Sequence, residues 1–297
     1  MEQMEDLYRT LVEYIKTVRE AVFDNRNFDI GPAVDVVEPL VAAPETITKF
    51  YLSTIDFSCD EDYLICHQVN AFIYSLVIGR GLKYSREHLF RLGLSALLYD
   101  VGLFMIPEAI RNKEGMLSQG EYETIKRHTL FGRDILKSFD QYPILARVAF
   151  EHHERENGQG YPQGLRGSEI CEPAKIIGLV DTYEAMIHNR PHRKAHLQHS
   201  SVKELIDSRN LMFAPNIIKA YLEEIGLFPI GSFVKLNNGT IGQVIQTNRT
   251  FPMKPIIRVF FNGQGFKKDD GETIDLEDHP ILYVAGSLHR DDLPEGL

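Results

Sequence analysis

The chain of 297 residues contains few cysteines and no long hydrophobic run. Cys59, Cys66 and Cys171 show no Cys-x-x-Cys spacing, and such a sparse, odd set predicts free thiols in a reducing cytoplasm. The longest apolar run, Leu92–Ile106, is too short to span a bilayer and contains Asp100, so we expect no membrane insertion. The acidic, amphipathic N-terminus does not have the pattern of a signal peptide.

The chain also lacks an excess of positive charge. It has 32 lysines and arginines against 42 acidic residues, a net charge of -10, which argues against a nucleic-acid polymer as partner. A local basic pocket for one anionic ligand remains compatible with this balance. With 43% hydrophobic and 25% charged residues, the composition is that of a globular protein large enough for two domains.

Residues 1–56 are predicted to form an N-terminal helical segment without clustered catalytic side chains. Apolar residues recur three and four positions apart between Leu7 and Val18, which is the pattern of one buried stripe. Shorter helices are predicted after Gly31 and from Pro44. Two interpretations stay open: a helical cap on the next domain, or a segment for dimerisation, a protein partner or signal input.

A strongly helical domain is predicted over residues 57–227, followed by a small β module over residues 228–297. Ser118 and Glu121 fit a capping box at the start of one helix. An Asn238-Gly239 turn separates the first two strands. Three of the expected helices cover residues 85–101, 118–138 and 173–187, and two more begin near Asp60 and at Pro143. The later strands are expected over residues 256–261, 273–276 and 281–284.

Five of the predicted helices each carry a histidine or aspartate on an apolar face. A buried carboxylate is unfavourable unless it is paired or bound to a metal. For one such residue, a hydrogen-bonded core group is the better interpretation. For five helices together, a shared metal centre is the simpler interpretation, because one site accounts for all of the inward-facing polar side chains. The inward-facing candidates are His67, Asp100, His128, the pair His152-His153, and Asp181.

The stretch from Glu151 to Leu165 combines the histidine pair with a sharp, glycine-rich turn. Neutral imidazoles bind first-row metals. Gly158, Gly160 and Pro162 bend the chain and leave its backbone open to the approach of a phosphate. Taken alone, the pattern also fits a helix end with ordinary surface histidines.

This stretch resembles the signature of the HD-GYP family, the metal-dependent phosphodiesterases of cyclic dinucleotides. The resemblance extends over about residues 60–225 and implies a mainly α fold with a helical, HD-type, metal-dependent phosphohydrolase domain. The β module also resembles a C-terminal extension found in some members. The residues that match the family pattern are His67, Tyr99-Asp100, His128, Gly132, His152-His153-Glu154, Gly158, Gly160-Tyr161-Pro162 and Asp181.

By this resemblance, the domain would bind one or two divalent metal ions, most often iron or manganese, with Asp100 as the bridging ligand. Two such metals would clamp a phosphate and supply hydroxide near neutral pH. One metal would be bound by His67, the Tyr99 position, Asp100 and Asp181, and the other by Asp100, His128, His152 and His153.

The resemblance also assigns the residues around the substrate, cyclic-di-GMP or a related cyclic dinucleotide. Asp100 and Tyr161 are the expected catalytic residues, and Gly160 would help Tyr161 to seat the substrate. Positive charge for the phosphates would come from a later cluster. That cluster consists of Arg190, Arg193 and Lys194.

Two positions depart from the family pattern. Tyr99 replaces a metal-ligating histidine, and a phenol, with an ordinary pKa of about 10, is a poor ligand for divalent iron or manganese. Leu103 replaces a lysine thought to touch the scissile phosphate, a loss expected to slow the reaction by roughly two to three orders of magnitude.

These departures leave three functional hypotheses. The first is hydrolysis of cyclic-di-GMP with reduced activity. The second is a catalytically silent cyclic-di-GMP receptor or protein-interaction module on the same fold. The third, a phosphohydrolase of the wider HD class acting on another nucleotide, is disfavoured by the turn at Gly160-Tyr161-Pro162.

Overall fold

A computed structural model describes residues 2–54, 62–113, 115–187, 196–208, 211–268 and 271–294. Helices occupy most of the described chain up to residue 224, and strands follow from residue 233. The mainly α fold with a small C-terminal β module is therefore confirmed.

The helices carry the numbers α1 to α12 in chain order. They are α1 Glu2–Phe23, α2 Gly31–Ala42, α3 Pro44–Ser53, α4 Tyr63–Gly81, α5 Arg86–Leu98, α6 Glu108–Arg111, α7 Gln119–Lys126, α8 His128–Leu136, α9 Ile144–Glu151, α10 Glu172–Ile187, α11 Gln198–Asp207 and α12 Pro215–Glu224. Short 3-10 helices cover Val101–Met105, Gly167–Glu169 and Arg290–Asp292.

Helix α4 lies at the centre of the helical core and positions His67. Its sequence is apolar on nearly all sides, which is typical of a helix that is surrounded by protein. It packs against α1, α3, α5, α10 and α12. Ile65, Val69 and Phe72 are completely buried, and each contributes about 1.5–3 kcal/mol of hydrophobic stabilisation. His67 therefore lies within the buried centre of the domain.

The N-terminal helices share this core. Leu11, Ile15 and Val18 of α1 are completely buried in the same hydrophobic cluster as α4 and α10. The apolar stripe predicted for α1 is confirmed. The division of the chain at residues 56 and 227 into three units stays a prediction.

Helix α5 ends earlier than predicted. It stops at Leu98 rather than near Val101, so Asp100 lies in a turn before the 3-10 helix. The reason is close packing at Gly102, where an added Cβ would lie 2.0 Å from the backbone oxygen of His128. The turn lets this segment lie directly on the start of α8, which brings Asp100 and His128 together.

The single helix predicted over residues 118–138 is divided in two at Arg127. The capping box of Ser118 and Glu121 is confirmed at the start of α7. Side chains break the continuous helix, because His128 Nδ1 and Thr129 Oγ1 bond to the carbonyls of residues 125 and 126 at 2.7 and 3.0 Å. His128 therefore begins α8 instead of lying in the middle of a longer helix.

The C-terminal strands form one antiparallel sheet with the order β4-β3-β2-β1-β5. The predicted Asn-Gly hairpin joins β1 to β2. The last strand begins three residues later than predicted, because His279–Leu282 forms a turn closed by a 3.0 Å backbone bond. The strands are β1 Phe233–Leu236, β2 Ile241–Gln246, β3 Ile256–Phe261, β4 Thr273–Asp275 and β5 Val284–Leu288.

The cysteines differ from the sequence prediction. Cys171 is a free thiol, as predicted. Cys66 is disulfide-bonded, so the expectation of free thiols throughout is wrong for this residue, and it no longer supports a reducing compartment. Cys59 lies outside the described residues.

One apolar stretch, Arg86–Met105, is long and apolar enough by length and composition to cross a membrane. It is longer than the run seen in the sequence because it joins α5 to the following 3-10 helix. However, 72% of its apolar window is buried inside the fold. Such burial is typical of a core helix.

Candidate metal centre

His128, His152 and His153 form the first cluster of the candidate site. Their ligand nitrogens all lie within 4.8 Å of one another. His152 is completely buried at the end of α9, and His128 is 2% exposed. The sequence places these residues 24 positions apart, and the packing of α8 on α9 brings them together.

The hydrogen bonds of this cluster fix which imidazole nitrogens are available. His128 Nδ1 donates to the Ile125 carbonyl at 2.7 Å, and His152 Nδ1 donates to the Ala149 carbonyl at 3.0 Å. A carbonyl only accepts, so each ring, when it is neutral, carries a lone pair on its Nε2 atom. These two Nε2 atoms face each other at 3.2 Å. Lone pairs in this arrangement repel unless a cation lies near both, as in metal sites whose histidines are oriented by backbone carbonyls.

Asp100 connects the first cluster to a second one. Its Oδ1 lies 3.4 Å from His128 Nε2 and 3.9 Å from His152 Nε2. Asp100 also has a ligand oxygen within 4.8 Å of those of His67 and Asp181. The structure thus brings all six predicted metal ligands into two adjacent groups that share the neighbourhood of Asp100.

Tyr99 occupies the centre of the second group. Its hydroxyl lies 2.9 Å from His67 Nε2 and donates to Asp181 Oδ1 at 3.0 Å. His67 Nε2 and Asp181 Oδ1 are themselves 2.9 Å apart. The three polar atoms therefore lie within hydrogen-bond distance of one another. Both groups bring metal-ligating atoms together, but in the second group the Tyr99 hydroxyl already bonds to two of them.

The pKa shifts of the histidines also differ between the two groups. Burial, reinforced by the charge of His128, lowers the pKa of His152 to about 3. Burial also lowers the pKa of His153 well below its usual value. The two imidazoles are neutral at pH 7, which is the form that binds metals.

The pKa of His67 shifts in the opposite direction. Burial opposes its protonation, but Glu184, Tyr63 and Asp181 together raise its pKa well above the usual value. Burial and the charge of Asp181 raise the pKa of Tyr99 well above its usual value, so the phenol keeps its proton. Both shifts are those expected for side chains that hydrogen-bond to the same carboxylate, Asp181.

Glu154 holds the glycine-rich turn in place. Its buried carboxylate accepts backbone N–H bonds from Gln163 at 2.7 Å, Gly164 at 3.2 Å and Leu165 at 2.9 Å. The preceding Tyr161 stacks on His153, with ring centroids 4.7 Å apart. The glutamate of the His-His-Glu sequence therefore anchors the turn and places Tyr161 against His153.

Two glycines are required by close backbone packing at the site. A Cβ on Gly160 would lie 2.5 Å from the backbone of residues 153–155. A Cβ on Gly178 would lie 2.3 Å from the oxygen of His152, so α10 approaches the histidine pair as closely as its backbone allows. These contacts give Gly160 a packing role; substrate contact by Gly160 stays a prediction.

A pocket of about 600 Å³ opens over the site, within the roughly 300–1,000 Å³ typical of small-molecule sites. Leu103 lines it, whereas Tyr99 and His152 are buried behind its wall. Its lining includes His67, Asp100, His128, His153, Tyr161 and Asp181. The predicted phosphate-binding residues Arg190, Arg193 and Lys194 lie outside the described residues.

Sequence reasoning missed the partners of His67. Glu184 bonds to His67 Nδ1, and Asn70 donates to the other Glu184 oxygen at 2.9 Å. Both positions could have been found from helical spacing, because Glu184 lies three residues after Asp181 and Asn70 three residues after His67. The tyrosine Tyr63, one turn before His67, contacts the same carboxylate at 3.4 Å.

The comparison with protein families agrees with this geometry. Residues 60–217 match the HD domain family model. The chain belongs to the HD domain family. Residues 233–296 match a KOW domain associated with HD domains. The HD-GYP assignment made from the turn motif is confirmed by the relatives of this HD domain protein.

The curated relatives are named as cyclic-dinucleotide phosphodiesterases. A cyclic di-GMP phosphodiesterase of Pseudomonas aeruginosa is 27% identical over 249 residues, covering 84% of this chain and 60% of the relative. A cyclic di-GMP phosphodiesterase of Borreliella burgdorferi is 26% identical, covering 72% of this chain and 56% of the relative. The chain thus spans less than two thirds of the length of these relatives.

A solved structure supports the fold. The HDG"Y"P protein Bd1817 of Bdellovibrio bacteriovorus superimposes with a TM-score of 0.61 at 15% identity. The match covers 73% of this chain and 70% of that protein. At this identity the likeness concerns the fold alone.

Proposed function

We propose that the chain is a metal-dependent phosphodiesterase of the HD-GYP type that hydrolyses cyclic-di-GMP at a reduced rate. The observation that carries this proposal is the pair of Nε2 atoms of His128 and His152, held 3.2 Å apart by their backbone partners beneath a pocket of suitable size. The names of the curated relatives support the substrate class.

The metal position that this proposal needs is the first group, with Asp100. When bound there, iron or manganese would supply Lewis acidity and an activated water. The protein's part is to keep the imidazoles neutral, oriented and shielded from solvent. The ligands in this proposal are Asp100, His128, His152 and His153.

The remaining residues of the pocket have positioning roles in this proposal. Tyr161, stacked on His153, forms a wall against which a base or ribose can pack. The proposed phosphate contacts of Arg190, Arg193 and Lys194 come from the family resemblance. A cytoplasmic location and a partner or second copy bound through the N-terminal helices also stay predictions.

A receptor without catalysis is the second candidate function. It is favoured by one specific observation, the closure of the second group by the Tyr99 hydroxyl at 2.9 and 3.0 Å. Leu103 lines the pocket with an aliphatic side chain where the family pattern has a lysine, so the pocket has one positive charge fewer for catalysis. Under this alternative, the same pocket binds the dinucleotide and leaves it intact.

Turnover by protein purified without oxygen tests the two functions. Conversion of cyclic-di-GMP to the linear dinucleotide or GMP is followed by anion-exchange chromatography, with Asp100→Asn as the variant. Asp134→Asn, whose side chain is 57% exposed on α8, is the matched control. Slow turnover that Asp100→Asn abolishes and the control retains supports the enzyme; tight binding with no product in the parent protein identifies the receptor.

A further inference from the structure

The pocket contains two arginines among its described lining residues, Arg111 and Arg155. Arg155 makes three hydrogen bonds to the protein. Its Nη1 donates to the carbonyls of His152 and Glu154, both at 2.9 Å, and its Nη2 lies 3.4 Å from the hydroxyl of Thr182. It therefore holds the backbone of the histidine pair and has little left for a ligand.

Arg111 at the end of α6 is engaged much less. Nη1 makes one long bond, 3.3 Å, to the carbonyl of Leu103. Its Nε is buried and has no hydrogen-bond partner among the described residues. A guanidinium presents five N–H donors, and the bond to Leu103 uses one of them, so the two Nη atoms of Arg111 keep donors for a ligand in the pocket that Arg111 lines.

Arg111 lies close to Leu103, the position at which the family pattern has a lysine. By the family resemblance, Leu103 stands where a lysine would touch the phosphate, and Arg111 Nη1 lies 3.3 Å from the backbone carbonyl of Leu103. We propose that Arg111 is a phosphate-binding and specificity-determining residue, which supplies from α6 the positive charge that Leu103 lacks. The inference rests on the proposed function for its ligand, a phosphodiester of a cyclic dinucleotide.

The charge balance of the pocket supports this role. Its described lining includes the carboxylates of Asp62, Asp100, Asp181 and Glu204. An anionic diester entering the pocket meets these negative charges, and a cation that is not already paired with them would offset part of the repulsion. The planar guanidinium matches two phosphate oxygens at once, which a lysine ammonium cannot do.

The test uses the full chain and two probes, cyclic-di-GMP by isothermal titration calorimetry and inorganic phosphate by thermal shift. Arg111→Gln removes the charge but keeps an amide that can still donate to the Leu103 carbonyl. Its melting temperature without ligand should equal that of the parent. The matched control is Arg9→Gln, on an exposed part of α1 and paired with Glu5.

Arg111→Gln should weaken cyclic-di-GMP binding about 10- to 100-fold and reduce its dependence on salt. Arg9→Gln should change neither. In the Arg111→Gln background, Leu103→Lys should recover most of the lost affinity, because it returns a positive charge to the wall of the same pocket. Unchanged affinity in Arg111→Gln, or no recovery by Leu103→Lys, would overturn the inference.

The phosphate probe separates this inference from the proposed function. If the parent protein binds no cyclic-di-GMP but is stabilised by phosphate in a manner that Arg111→Gln abolishes, the anion site stands and the proposed function fails. If Arg111→Gln keeps the phosphate stabilisation, or if the parent responds to neither probe, Arg111 is not an anion-binding residue.

Discussion

Replacement of Glu154 by glutamine should loosen the turn that carries Tyr161. The side chain is 4% exposed, and its two oxygens accept three backbone N–H groups. In Glu154→Gln one oxygen becomes an NH2 group, which leaves at least one buried donor facing another donor. An unsatisfied buried donor costs about 1–3 kcal/mol, and the remaining bonds lose the charge that roughly doubles their strength.

The expected total is therefore about 2–4 kcal/mol, a large part of the typical stability of a folded domain. Urea unfolding followed by circular dichroism measures the free energy of unfolding. Amide hydrogen exchange reports directly on the N–H groups of Gln163, Gly164 and Leu165. They should be protected in the parent protein and should exchange much faster in Glu154→Gln.

The matched control is Glu87→Gln, because Glu87 is 70% exposed and pairs only with Arg91 on the same helix. An exposed pair of this kind contributes at most about 0.5 kcal/mol. If Glu154→Gln unfolds at the same urea concentration as Glu87→Gln and its three amides stay protected, the carboxylate does not hold the turn and the reasoning is wrong.

Three further predictions concern the site and its support. Tyr99→His should raise metal content per chain, measured by inductively coupled plasma mass spectrometry, because the phenol no longer closes the group with His67; unchanged content would contradict this. Gly178→Ala should lower stability by about 1–3 kcal/mol in urea, since the methyl meets the His152 oxygen, whereas Gly120→Ala meets nothing within 4 Å and should not destabilise the protein. The bond from Lys113 lowers the pKa of Glu121 to about 2, so its stabilisation is present above the ordinary pKa of about 4.3 and is lost as pH falls towards 2. Glu121→Gln should flatten the acid dependence of stability in this range, and an unchanged profile would refute the assignment of this stabilisation to the bond between Lys113 and Glu121.

The gathering of the candidate ligands was predictable because histidines and aspartates recur on apolar helix faces and match a family pattern. The sequence placed His67, His128, His152 and Asp181 on separate helices, and helix packing gathers them as expected. Asp100 was placed at the end of a helix that in fact stops at Leu98. Close backbone approach at Gly102 decides that end, and such an approach depends on a segment distant in the sequence.

The state of each metal position could not be read from the sequence. Substitution of histidine by Tyr99 indicated a weakened ligand, but the hydroxyl's simultaneous bonds to His67 and Asp181 depend on three-dimensional positions. The bond between Glu184 and His67 could have been predicted, because Glu184 lies three residues after Asp181 on the same helix. The approach of Arg111 to the Leu103 carbonyl was not, because it depends on the turn between the 3-10 helix and α6.

Metal content and cyclic-di-GMP turnover, measured on the same anaerobically purified sample, test the central claim most directly. The account predicts about one metal per chain, bound by the group of His128, His152 and His153 with Asp100, together with slow hydrolysis that disappears with the metal. Tight binding of cyclic-di-GMP without any product at full metal occupancy would contradict the enzyme and leave a receptor built on the same pocket.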